Sequence, residues 1–174
     1  MSVCKKKNGV TIIAEAGVNH NGDIHMAMDL AKAAAESGAD FVKYQTFIPE
    51  MVASKFAKKA AYQDKGAIDG DTQLDMIKKL QLTYDKFVRL KLYCEGLNIK
   101  FLSTAFDVKS LLFLDRLGLN LIKVPSGEIT NVPFLKAVGG LKRRVLLSTG
   151  MADLTEVEQA LNILTTAGTI RSKI

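Results

Sequence analysis

The chain has 174 residues, a length that fits one domain with a sizeable core. Hydrophobic residues at 48% and charged residues at 24% are ordinary for a soluble globular protein and argue against a disordered or fibrous one. A net charge of +6, from 24 Lys plus Arg against 18 Asp plus Glu, suits anionic small molecules and is too weak and scattered for nucleic acid.

The N-terminus, MSVCKKKNG, reads as a flexible, solvated tail over residues 1–10, and the domain is expected over 11–174. No apolar run approaches membrane-spanning length, so no membrane partner is expected. Cys4 and Cys94 share no metal or redox spacing, which points to a reducing cytoplasm.

Strand-like and helical runs then alternate. TIIAE (11–15) precedes a helix over Asp23–Ser37, closed by Gly38. DFVKYQTF (40–47) is the second strand. Residues 49–73 carry little periodicity and read as a long excursion, of the kind that forms lids or binding loops, before helices at Leu74–Leu80 and Tyr84–Glu95. IKFLST (99–104) is the third strand, followed by a helix over Val108–Leu117. LIKVPS (121–126) leads to a short helix over Val132–Val138. RVLLST (144–149) leads to Leu154–Ala167, whose Val157, Ala160, Leu161 and Leu164 share one face. The runs are short and β-branched, as strands buried on both faces should be. Five βα units imply an α/β fold with a parallel sheet, either a small open sheet or a TIM (β/α)8-type barrel truncated to about its first five units.

Polar residues collect after the C-terminal ends of these strands, where ligands lie in parallel α/β folds. They are Glu15, Asn19 and His20; Lys43, Gln45 and Thr46; Ser103 and Thr104; Lys123, Ser126 and Glu128; and Ser148 and Thr149. Lysines, hydroxyls and glycine-adjacent amides are what a phosphate or carboxylate requires. Lys43 and Lys123 sit in apolar strand sequence, so each needs an anionic partner, either a ligand or a structural acid such as Glu15 or Glu128. Glu15 and Glu128 are the candidate acid/base or substrate-orienting carboxylates. His20 is open to three roles: base, metal ligand or loop hydrogen-bonder. With two histidines and no H-x-x-x-H spacing, these residues assemble no metal site. No dinucleotide fingerprint or P-loop is present.

Five segments in order, IIAEAGVNHNGD, ADFVKYQTF, FLSTAFD, KVPSGEITN and LLSTGMA, resemble the sialic acid synthase family, the N-acetylneuraminate synthases and their relatives. The resemblance implies a TIM barrel and favours the truncated barrel over the open sheet. It further implies a C–C bond-forming transferase that condenses phosphoenolpyruvate with N-acetylmannosamine or a related 2-acetamido sugar, giving a nine-carbon sialic acid and phosphate. By matched position it assigns Lys43, Thr104, Lys123 and Ser126 to phosphoenolpyruvate, Glu15 to proton transfer or water activation near the reacting carbons, and Glu128 to the sugar hydroxyls. Gln45, Asn19, His20 and Ser148 are neighbouring substrate-binding candidates. A divalent metal, Mn²⁺ or Mg²⁺, is implied for the full-length family, with its histidine ligands on strands beyond this sequence, and so is a homodimer. The chain by itself is therefore expected to lack activity. The insertion KKAAYQDKGAIDGDTQLDM resembles legionaminate-type members more than N-acetylmannosamine-specific ones. A non-catalytic remnant and a Schiff-base aldolase barrel using Lys123 are the alternative readings.

Overall fold

The computed structural model describes residues 9–57 and 72–174. Most of the expected tail, Cys4 and residues 58–71 of the excursion lie outside these. Five strands, β1 (Ile13–Gly17), β2 (Phe41–Thr46), β3 (Lys100–Ala105), β4 (Leu121–Val124) and β5 (Arg144–Leu147), form a parallel sheet in the order β1-β2-β3-β4-β5. Spatial order follows chain order, so the connections never reverse as they do at the switch point of a doubly wound sheet. The helices are α1 (Ile24–Glu36), α2 (Pro49–Val52), α3 (Gln73–Lys79), α4 (Tyr84–Gly96), α5 (Val108–Arg116), α6 (Val132–Gly140) and α7 (Leu154–Ala167). The chain divides into two compact units, Met1–Phe101 and Leu102–Ile174.

In the first unit, α1 starts where a carboxylate satisfies its orphan amides. Asp23 accepts from the N–H groups of His25 and Met26, and those bonds hold its pKa below the ordinary value. The buried stripe of α1 is Ile24, Ala27, Ala31 and Ala34; three of these are small, so the helix lies close to its neighbours. Tyr44 is completely buried and donates its hydroxyl to Ala27 O at 2.8 Å. Its ring stacks on Phe101 at 5.8 Å between centroids, and Phe87 meets Phe101 edge-on at 6.3 Å. Each such ring contributes roughly 1.5–3 kcal/mol by leaving water. Cys94 is buried in the same core, where desolvation pushes its thiol up to about 12, so it acts as an apolar filler.

The excursion begins less irregularly than its sequence suggests. Pro49 opens α2, a single turn too short to show periodicity. Thr72 and Asp75 form a capping box that starts α3.

In the second unit, Asp107 caps α5 by accepting from Ser110 N–H at 2.8 Å and Ser110 Oγ at 2.6 Å, both residues being buried. Asp153 and Glu156 form the capping box of α7. Helix α6 runs two residues past the expected Val138, through Gly139 and Gly140. Gly139 explains the extension: a Cβ there would lie 2.5 Å from Ala167 Cβ and 2.7 Å from Leu164 O. Only glycine lets α6 approach the α7 backbone so closely.

Two burial expectations need correction. β3 alone, apart from Lys100, is buried along its length; β2 and β4 alternate between half-buried and buried residues. The half-buried positions include Lys43 and Gln45 on β2 and Lys123 on β4, whose polar ends need room. On α7, Ala160 and Leu164 are buried while Val157 and Leu161 are only half-buried. Those two line a groove of about 310 Å³ beside β5.

Candidate functional site

The pleat of β2 puts Phe41, Lys43 and Gln45 on one face and Val42, Tyr44 and Thr46 on the other. Lys43 pairs in register with Glu15 on β1, and its Nζ closes a salt bridge with Glu15 Oε2. The lysine side chain is 13% exposed and the glutamate 51%, so the cation is sheltered and the carboxylate reaches outward. The register then slips between Glu15 and Gly17. This carries β1 two residues past the expected Glu15, and Gly17 takes up φ +57°. A Cβ on Gly17 would stand 3.2 Å from Glu15 Oε1 and 3.6 Å from Gln45 Nε2. The bare glycine thus lets Glu15, Lys43 and Gln45 cluster.

The loop after β1 handles its two polar candidates differently. Asn19 is exposed in a turn, its N–H donating to Ala16 O at 3.0 Å. His20 is completely buried, with Nδ1 accepting the Gly22 N–H at 3.1 Å and its ring 6.2 Å from that of Tyr44. Burial, assisted by the Lys86 charge, lowers its pKa, so the ring is neutral and carries its proton on Nε2. That Nε2 has no hydrogen-bond partner among the described residues. Of the three roles open from sequence, shaping the loop is the one this geometry performs. Lys86 tightens the same loop by donating to Gly22 O at 3.1 Å.

The second unit holds a cluster of its own. Lys123 Nζ donates to Ser148 Oγ at 2.6 Å and to Val124 O at 2.9 Å. Thr104, 2% exposed, is its register partner on β3. Ser126 opens a 3-10 turn, Ser126–Glu128, and its Oγ is 3.5 Å from where a Cβ on Gly150 would stand. A lysine flanked by hydroxyls and a glycine backbone is equipped to bind an anion. Glu128 is half-buried, and its Oε2 accepts from Asn131 Nδ2 at 2.6 Å.

Sequence reasoning singled out neither Asn131 nor Gly17. Asn131 caps α6, accepting from Phe134 N–H at 3.1 Å, with Pro in the first turn. An asparagine two residues before a proline is a helix-start signal that could have found it.

Among the described residues, no three His, Cys, Asp or Glu lie close enough together to hold a metal ion. Among the same residues, no helix is long and apolar enough to cross a membrane.

The NeuB family model matches residues 30–173. A curated relative, the N,N'-diacetyllegionaminic acid synthase of Campylobacter jejuni, is 50% identical over 163 residues, covering 94% of this chain and 49% of the relative. The N-acetylneuraminate-9-phosphate synthase of Drosophila melanogaster is 32% identical over 168 residues, covering 94% and 44%. The crystal structure of the N-acetylneuraminic acid (sialic acid) synthetase of Leptospira borgpetersenii, in complex with citrate, superposes with a TM-score of 0.79 at 31% identity, covering 93% of this chain and 52% of that one. The chain spans about half the length of the curated relatives it matches.

Proposed function

The chain belongs to the NeuB family, and on that premise we propose that it supplies binding and proton-transfer residues for condensing phosphoenolpyruvate with a 2-acetamido sugar. Carbon 3 of the enol attacks the aldehyde carbon of the open-chain sugar. Water adds to carbon 2, and the tetrahedral intermediate expels phosphate by C–O cleavage.

The observation that carries this reading is the Lys123 cluster. Its ammonium is half-buried and already oriented by the Ser148 hydroxyl, with Thr104 beside it in register. Lys123, Thr104 and Ser126 are assigned to the anionic groups of phosphoenolpyruvate, since each charge-assisted bond there contributes on the order of 1.5–3 kcal/mol. The family resemblance assigns Lys43 to phosphoenolpyruvate as well. Glu15 is the general acid/base: half-exposed and salt-bridged to Lys43, its carboxylate reaches outward to where a water can meet it. Gln45, beside Glu15 across Gly17, completes that set. Glu128 takes the sugar hydroxyls. The sugar is of the legionaminate type, because identity to the relative of that name is 50% against 32% to the N-acetylneuraminate-9-phosphate synthase. The reaction is assigned to the cytoplasm and the full-length enzyme to a homodimer.

Isothermal titration of the chain with phosphoenolpyruvate tests the reading. Saturable binding to the parent, weakened at least about tenfold by Lys123→Met, is expected, one lost charge-assisted bond being the minimum. A parent chain that binds no phosphoenolpyruvate would contradict it.

A further inference from the structure

Glu128 lies at the end of a short turn on the second unit, and its neighbour three residues on holds it at two points. The Asn131 N–H donates to Glu128 O at 3.0 Å, and Asn131 Nδ2 donates to Glu128 Oε2 at 2.6 Å. The orientation of the Asn131 amide is not arbitrary. Its Oδ1 accepts the Phe134 N–H at 3.1 Å, which only the oxygen can do, so the NH₂ end must face the carboxylate. The asparagine therefore performs two tasks at once, capping α6 and fixing the Glu128 rotamer. Buried Ile129, between the two, anchors the turn. With Oε2 engaged, Oε1 is the oxygen left open to a hydroxyl among the described residues.

We infer that Asn131 is a positioning residue for Glu128, fixing its rotamer and setting which carboxylate oxygen faces the substrate. The sugar part of this inference rests on the assignment of Glu128 to the sugar hydroxyls. The clamp itself does not.

Asn131→Asp separates the two tasks. An aspartate keeps the oxygen that caps α6, and it is as good a cap as asparagine, so the fold persists. It replaces the donor with a second carboxylate facing Oε2, which disfavours ionisation of Glu128. Carbon-13 NMR titration of the side-chain carboxyls in the 174-residue chain reads this directly, with Glu128→Gln identifying the resonance. The Glu128 midpoint is expected to rise by about one pH unit, a tenfold change in its protonation constant, while the melting temperature stays close to the parent's. A neutral partner variant, Asn131→Ser, keeps a cap and loses the long donor. It is expected to weaken binding of a diacetamido sugar of the legionaminate type, added with phosphoenolpyruvate, by the same factor as Glu128→Gln. The double variant should be no worse than either single one. An unmoved Glu128 midpoint in Asn131→Asp overturns the clamp. A shifted midpoint combined with undiminished sugar binding in Glu128→Gln upholds the clamp and overturns the sugar assignment.

Discussion

Lys43 and Glu15 face each other across the β1–β2 ladder and are joined by a salt bridge whose lysine is sheltered and whose glutamate is half in solvent. Such a pair contributes little to folding, because water screens the outer partner: Glu15→Gln is expected to cost no more than about 1 kcal/mol in urea unfolding. Its effect on chemistry should be far larger. In an active form of the proposed synthase the same change is expected to lower kcat about 10²- to 10⁴-fold, the usual contribution of a positioned acid/base. A loss of activity no greater than the loss of stability would make the pair structural only.

The buried histidine gives the protein a pH-dependent stability. The ordinary value for His20 is 6.5, and its folded value lies lower. Below 6.5 the unfolded chain takes up a proton that the folded chain resists, so stability is fully present above 6.5 and falls as pH drops toward the folded value. One such proton gives a slope of at most about 1.4 kcal/mol per pH unit. Urea midpoints measured from pH 7.5 to 5 should show that fall, and His20→Asn, which keeps an acceptor near the position of Nδ1, should remove it. Parallel profiles for the two proteins would rule it out.

Adjacent glycines at the end of α6 make opposite predictions. Gly139→Ala must push α6 away from Leu164 and Ala167 and is expected to cost about 1–3 kcal/mol. Gly140 has nothing within 4 Å of an added Cβ, so Gly140→Ala is expected to gain about 0.5–1 kcal/mol from helix propensity. Thermal melts of both variants decide; equal effects would mean that α6 and α7 are not in close backbone contact.

Gly22 presents the same problem in the first unit. It has φ +78°, and a Cβ would lie 2.5 Å from Lys79 O, a backbone atom that cannot swing aside. Gly22→Ala is expected to destabilise by roughly 2–4 kcal/mol, strain and overlap together. A melting temperature unchanged from the parent would show that the loop after β1 is not seated on the end of α3.

Most elements were legible because their signals are local. The expected helix over Asp23–Ser37 is α1 together with its two caps, since an aspartate before an apolar stripe and a glycine after it act within one turn. The Glu15–Lys43 pair could be anticipated because successive parallel strands place their C-terminal ends side by side. What escaped the sequence depends on geometry that spacing does not encode. The slip at Gly17, the close approach at Gly139 and the double use of the Asn131 amide each need a second segment in place before they exist. The half-exposure of Val157 and Leu161 likewise depends on what lies beside β5, not on the periodicity of α7.

The proposal that the lysine–hydroxyl cluster binds phosphoenolpyruvate is tested most directly by diffraction from crystals of the chain soaked in it. Phosphorus-containing density within hydrogen-bonding reach of Lys123 Nζ, Thr104 Oγ1 and Ser126 Oγ is the predicted result. Density elsewhere on the surface, with those three side chains undisturbed, would contradict it.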